Sequence, residues 1–102
     1  MSYSIKIASE AELDIKNAQN WYSDKSPELA ERFTAVIKHT IDALTSTQVE
    51  HMVAFKDLRR VLVRTFPYVI YYRRNEEARI INILAILHNK QSAPNLLKAR
   101  KT

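Results

Sequence analysis

The chain has 102 residues and a formal net charge of +5, with 46% hydrophobic and 26% charged residues. These values sit near soluble globular averages and exclude a disordered, collagen-like or disulfide-scaffold chain, and the length fits one domain, 1–102. There is no cysteine and no glycine, so thiolate metal sites and the Gly-rich phosphate loops of Walker or Rossmann nucleotide binding are excluded. Three widely spaced histidines, His39, His51 and His88, argue against a structural zinc site, and no cofactor is expected. No apolar run approaches the ~18–20 residues of a membrane span. The N-terminus also lacks a basic-then-apolar signal pattern, so a cytoplasmic location is expected.

In chain order, Tyr3 to Ile7 alternates with Tyr3, Ile5 and Ile7 on one side, which predicts a half-buried strand. Ser9 with Glu12 three residues later predicts a capping box opening a helix. Its stripe is Ala11, Ile15, Ala18 and Tyr22, with Leu13 and Trp21 alongside, and it should stop near Ser23 to Lys25. Ser26-Pro27 then opens a second helix, with serine at the cap and proline at the first turn, where its missing N–H costs nothing. The apolar face of that helix is Leu29, Phe33, Val36, Ile37, Thr40, Ile41 and Leu44, ending near Thr45. Two helices so closely linked make an antiparallel hairpin.

The second half changes period. Met52 to Phe55 suggests a short strand, and Arg59 to Phe66 and Tyr68 to Arg74 predict two longer ones, rich in Val, Ile, Tyr and Phe. Asn75 is the residue best suited to left-handed geometry in the turn that follows. Arg79 to Leu87 is apolar on both faces except at Asn82, which predicts a central strand. The stretch 89–102 reads as a basic loop, with a short helix over 95–100. The expected fold is a two-layer α+β domain: an N-terminal strand, a helical hairpin on one face, then a mostly antiparallel sheet of three to four strands. The other sheet face should be partly free, and function is expected there.

Charge is segregated along the chain. Residues 1–50 carry five bases against eight acids, and residues 51–102 carry eleven bases against three. A basic face of this kind suits nucleic acid or an acidic protein partner, although a solvated surface would look the same. If Val61 and Val63 pack on the helices, Arg60 and Arg64 emerge together on the open face. Tyr72 with Arg74 shares one face of the next strand and Tyr71 with Arg73 the other. Aromatic residues interleaved with bases suit single-stranded RNA, while the bland reading is core aromatics and edge-blunting arginines. His88 at the end of the last strand could serve as a general acid or base beside Arg64 and Arg60.

The chain resembles the RelE/ParE toxin superfamily. The resemblance rests on the strand–helix–helix–strands order, on Trp21-Tyr22 and Arg32-Phe33, on Arg64 to Tyr72 with its Phe66-Pro67-Tyr68 core, and on Ile83 to His88. It spans Tyr3 to about Pro94 and is nearest the ParE-like, plasmid stabilisation branch. It implies a toxin of a type II toxin–antitoxin pair, neutralised by direct binding of a cognate antitoxin, with DNA gyrase as the ParE-like target. The RelE-like alternative is a ribosome-dependent mRNA endonuclease, in which Arg64, His88 and Arg60 would be catalytic. Against it, Lys56 is the only lysine between Lys38 and Lys90, and no tyrosine follows His88. A third reading is an inactive toxin fold that retains only the antitoxin interaction.

Overall fold

In the computed structural model, residues 3–45, 53–55 and 58–90 are described. The elements are β1 (Ser4–Ile7), α1 (Ser9–Lys25), α2 (Pro27–Ala43), β2 (Val53–Phe55), β3 (Leu58–Leu62), β4 (Tyr68–Asn75) and β5 (Ile80–His88). The strands form one sheet in the order β1-β5-β4-β3-β2. β1 lies parallel to β5, and the other pairings are antiparallel. This is the expected α+β architecture, with β5 central. The expected short strand is present over Val53–Phe55, and Met52 and the expected helix over 95–100 fall outside the described residues.

The junction of β1 and α1 differs from the capping box read in the sequence. Ala8 is the N-cap, without a side-chain cap bond, and the Ser9 hydroxyl donates to Glu10 instead. The reason lies in the backbone. The Ala8 N–H closes the β1–β5 ladder on the Ile83 carbonyl (2.9 Å), while its own carbonyl accepts from Glu12 N–H (2.9 Å). Strand and helix thus meet at one residue, which leaves Ser9 inside the helix. Glu10 and Glu12 remain in the first turn, where acids complement the helix dipole. Leu13 and Trp21 are each 56% exposed, because a helix turns about 100° per residue and both stand off the Ala11–Ala18–Tyr22 stripe.

The second helix begins as its sequence predicts. Ser26 caps it by accepting from Leu29 N–H (3.4 Å), and Pro27 occupies the first turn. Phe33, Ile37, Ile41 and Leu44 enter the main core. There Phe33 meets Phe66 at 5.3 Å and Tyr22 at 5.1 Å between ring centroids.

Strand β3 is shorter than the expected Arg59 to Phe66. It stops at Leu62, and Arg64 to Pro67 form a turn. Thr65 adopts φ 65, a left-handed setting unfavourable for a β-branched residue, and Pro67 has no N–H to give a ladder. The turn is closed by Val63 N–H on Tyr68 O and Tyr68 N–H on Phe66 O. It swings Phe66 to the helix side. At the other hairpin the left-handed residue is Arg79 (φ 56), not Asn75, whose side-chain carbonyl accepts from Ala78 N–H.

The pairing of β4 with β5 slips by one residue. Tyr71 stands opposite Ala85 and Tyr72 opposite Ile83, so Leu84 is an extra, bulged residue. Ile81, Ile83 and Ile86 therefore face the helices, whereas Leu84, Ala85 and Leu87 share the opposite face.

Phe33 is fully buried among aromatic rings. Phe33→Ala is expected to lower stability by about 3–5 kcal/mol, seen as a large drop in Tm. An unchanged Tm would remove Phe33 from the core.

Candidate functional site

The bulge decides where His88 points. Beyond Leu84, alternation sends Ile86 and then His88 to the helix side of the sheet. There the His88 ring meets Tyr68 edge-on, with centroids 5.3 Å apart. Its Nδ1 accepts from Lys90 N–H (3.1 Å), which puts the proton of the neutral ring on Nε2. Asn89 N–H donates to Pro67 O (2.8 Å) and ties this strand end to the β3–β4 turn.

His88 borders a cleft of about 440 Å³ between α1 and the ends of β4 and β5. Asp14, Asn17, Trp21 and Tyr22 line it from the helix, and Pro67, Tyr68 and Ile86 from the sheet. The ring of Tyr22 lies 5.1 Å from Trp21 and 6.2 Å from Tyr68, so the aromatic wall is continuous from Trp21 to His88. Asp14 is held by a specific need of the fold. β1 ends its pairing at Ile83, and the Asp14 carboxylate accepts the Ile86 N–H beyond it (3.0 Å).

The three residues expected to act together are divided. Arg64 is exposed in the β3–β4 turn, not on the strand that carries Arg60. It shares that end of the sheet with His88. Arg60 pairs with Tyr71 in mid-strand, and Tyr71 belongs to the cluster on the face away from the helices. Arg60 and His88 thus lie on opposite faces.

The face expected to be free is not free at its centre. Leu58, Val69, Tyr71, Leu84, Ala85 and Leu87 form a second buried cluster to which neither helix contributes. The pleat places Tyr71 and Arg73 on this side, whereas Tyr72 is in the main core and Arg74 lies over the Tyr3 ring. Register then aligns Lys6, Asn82 and Arg73 across β1, β5 and β4, beside Arg60. The sequence does not mark Lys6 and Asn82 as neighbours of Arg73, because their adjacency comes from pairing of strands far apart in sequence. Among the described residues, no group of three His, Cys, Asp or Glu side chains is placed to hold a metal ion. No described helix is long and apolar enough to cross a membrane.

Residues 5–93 match the family described as ParE toxin of type II toxin-antitoxin system, parDE. The chain belongs to the ParE toxin family. It is a toxin of the type II class, and it is 30% identical to Toxin ParE2 of Mycobacterium tuberculosis (strain CDC 1551 / Oshkosh), over 97% of this chain and 92% of that relative. Among solved structures, its fold is similar to the chromosomal ParDE toxin–antitoxin system from P. aeruginosa, with TM-score 0.74 and 19% identity over 84% of this chain and 95% of that one. It is also similar to the toxin–antitoxin complex RelBE2 from Mycobacterium tuberculosis, with TM-score 0.57 and 18% identity over 86% and 92% of the two chains.

In this ParE-family chain, burial raises the pKa of three tyrosines above the ordinary 10.0. For Tyr22 the neighbouring Tyr68 adds to burial, and for Tyr72 the cations Arg59 and Arg74 oppose it. All three phenols are neutral at physiological pH. Because the folded state keeps protons that the unfolded chain would release, stability is intact below pH 10.0 and falls as pH rises above it. Thermal melting followed together with tyrosinate absorbance should show Tm falling as these phenols ionise. A Tm constant through that ionisation would contradict their burial.

Proposed function

We propose that this chain acts in the cytoplasm as a ParE-like toxin, neutralised by direct binding of a cognate antitoxin and directed at DNA gyrase. The observation that carries the reading is the family match over residues 5–93. The placement of Arg60 on the face opposite His88 supports it, since a phosphate-cleaving centre needs its cations and its general acid together. The similar P. aeruginosa and M. tuberculosis structures are toxin–antitoxin assemblies, which supports an antitoxin partner here.

The antitoxin has a ready edge to pair with. Among the described strands β1 ends the sheet, and its Ser4 and Ala8 N–H groups point inward to β5. The peptide groups of Ile5 and Ile7 therefore point outward. A strand added there would gain main-chain hydrogen bonds while an acidic remainder crosses Lys6 and its basic neighbours. Co-expression with a small acidic neighbouring reading frame should yield a stable complex that weakens with salt. Failure to recover a complex would count against the pairing.

One arrangement favours the alternative, mRNA cleavage on the ribosome. Lys6, Arg60 and Arg73 gather on one face with Asn82, a surface suited to a phosphate backbone. On that reading Arg64 and His88 bring the chemistry to the sheet end nearby. Under gyrase inhibition, growth arrest comes with lost supercoiling and intact transcripts. Under the alternative, transcripts are cut, Arg64→Ala abolishes toxicity with stability changed by no more than about 0.5 kcal/mol, and His88→Ala abolishes it in a variant that still shows a cooperative melt. Whole mRNA at growth-arresting levels retires the nuclease.

A further inference from the structure

The free edge of β1 carries a charge between the groups that a new strand would bond. The Ser4 and Ala8 N–H groups bond β5, and Lys6 stands in phase with them. An added strand therefore bonds only to Ile5 and Ile7. The side chains alternate across the pleat. Ile5 and Ile7 pack against the main core, whereas Ser4 and Lys6 are exposed on the face away from the helices. Lys6 makes no ion pair among the described residues, and its neighbour across β5 is the neutral Asn82.

We infer that Lys6 selects what pairs with this edge: it admits an extended segment of a partner protein with an acid opposite Lys6 and an apolar residue on either side, and it excludes a second copy of this chain. Identifying that protein as the antitoxin rests on the function proposed for the chain. In an antiparallel addition Ile5 and Ile7 take the hydrogen-bonded positions. Lys6 falls in the non-bonded position between them, where opposed Cα atoms approach to about 4.5 Å and side chains are nearest. An acid there gains a cross-strand charge pair. Apolar residues opposite Ile5 and Ile7 extend the layer that these two already form against the core. A second copy meets the reverse situation. The two-fold pairing that uses both Ile5 and Ile7 sets each against the other, and so sets Lys6 against Lys6. Like charges directly opposite are destabilising. A shift of two residues either way relieves the clash, but leaves one bonded pair within β1 and halves its hydrogen bonds. A lysine on an edge strand thus blocks self-pairing without closing the edge to an acidic partner.

The test uses the intact chain, isotope-labelled for NMR, and two peptides that differ only at the centre, acetyl-Thr-Ile-Glu-Ile-Thr-amide and acetyl-Thr-Ile-Lys-Ile-Thr-amide. The glutamate peptide should shift the Ile5 and Ile7 amides saturably and bind about fivefold more tightly than the lysine peptide. Lys6→Glu should reverse that preference. Lys6→Thr, its fold checked by Tm, should self-associate at lower concentration than the unmodified chain in sedimentation. The peptide comparison on the unmodified chain stands even if neither variant folds. Equal affinity for the two peptides, shifts centred away from β1, no saturable response, or unchanged self-association of folded Lys6→Thr would each overturn the role of Lys6. If co-expression yields no antitoxin complex while the glutamate peptide is still preferred, the antitoxin reading falls and selection by Lys6 stands. A stable antitoxin complex with a chain indifferent to the two peptides overturns the selection and leaves the antitoxin reading intact.

Discussion

One extra residue in β5 governs how the rest of the molecule is arranged. Were the β4–β5 ladder regular, the alternation that buries Ile81 and Ile83 would carry Ala85 and Leu87 to the helices. Ile86 and His88 would then fall on the opposite face, with Asn82. The bulge at Leu84 reverses the phase. Ile86 enters the main core at 2% exposure, where burying such a side chain contributes about 1.5–3 kcal/mol. His88 comes to lie against Tyr68. The opposite face gains two consecutive residues, Leu84 and Ala85, and with them a second cluster. β1 stops at Ile83, so the Ile86 N–H beyond the bulge needs another acceptor. Asp14 supplies it from α1. A hydrogen bond to a charged group contributes about 1.5–3 kcal/mol, and here it ties α1 to β5 beside the cleft.

The aromatic cluster completes that arrangement from the other side. Tyr22 on α1 and Phe33 on α2 meet each other, and each meets Phe66 in the turn and Tyr68 on β4, all within 6.2 Å between centroids. Phe66 reaches this cluster only because the turn leaves the pleat. A residue in its place on a continued β3 would alternate with Leu62 onto the far face. The left-handed setting of Thr65 costs on the order of 1–3 kcal/mol, offset by burial of the Phe66 ring beside Phe33. The same departure carries Arg64 off the strand and into solvent. A feature that serves packing thereby separates two arginines whose sequence spacing suggests one face.

Local chemistry was legible wherever a single segment contains its own cause. Ser26-Pro27 starts a helix, the Phe33–Ile37–Ile41 spacing marks a buried stripe, and the unbroken apolar run into Leu87 marks a central strand. The N-terminal cap failed because the backbone of Ala8 is claimed by β5, a partner more than seventy residues away. The bulge failed for a related reason. Leu84, Ala85 and Ile86 are all apolar, so the pattern carries no mark of where the phase changes. With Asn82 the only polar residue between Ile80 and Leu87, either register satisfies burial, and the choice is made by packing against Tyr71 and Tyr72. The placement of Arg60, Arg64 and His88 inherits this ambiguity. Their identities were legible and their faces were not.

The charge split along the chain acquires a spatial meaning from these constraints. Acids concentrate in the helical half, where Glu10, Glu12 and Glu28 sit in first turns that favour them. Bases concentrate in the strands, where Arg60 and Arg73 share a face with Lys6 from the N-terminal edge. The cleft with Asp14 lies on the helix side. The acid-rich helices and the basic strand face point to opposite sides of the sheet, and a single partner that wrapped both would need its own charges segregated in the complementary order.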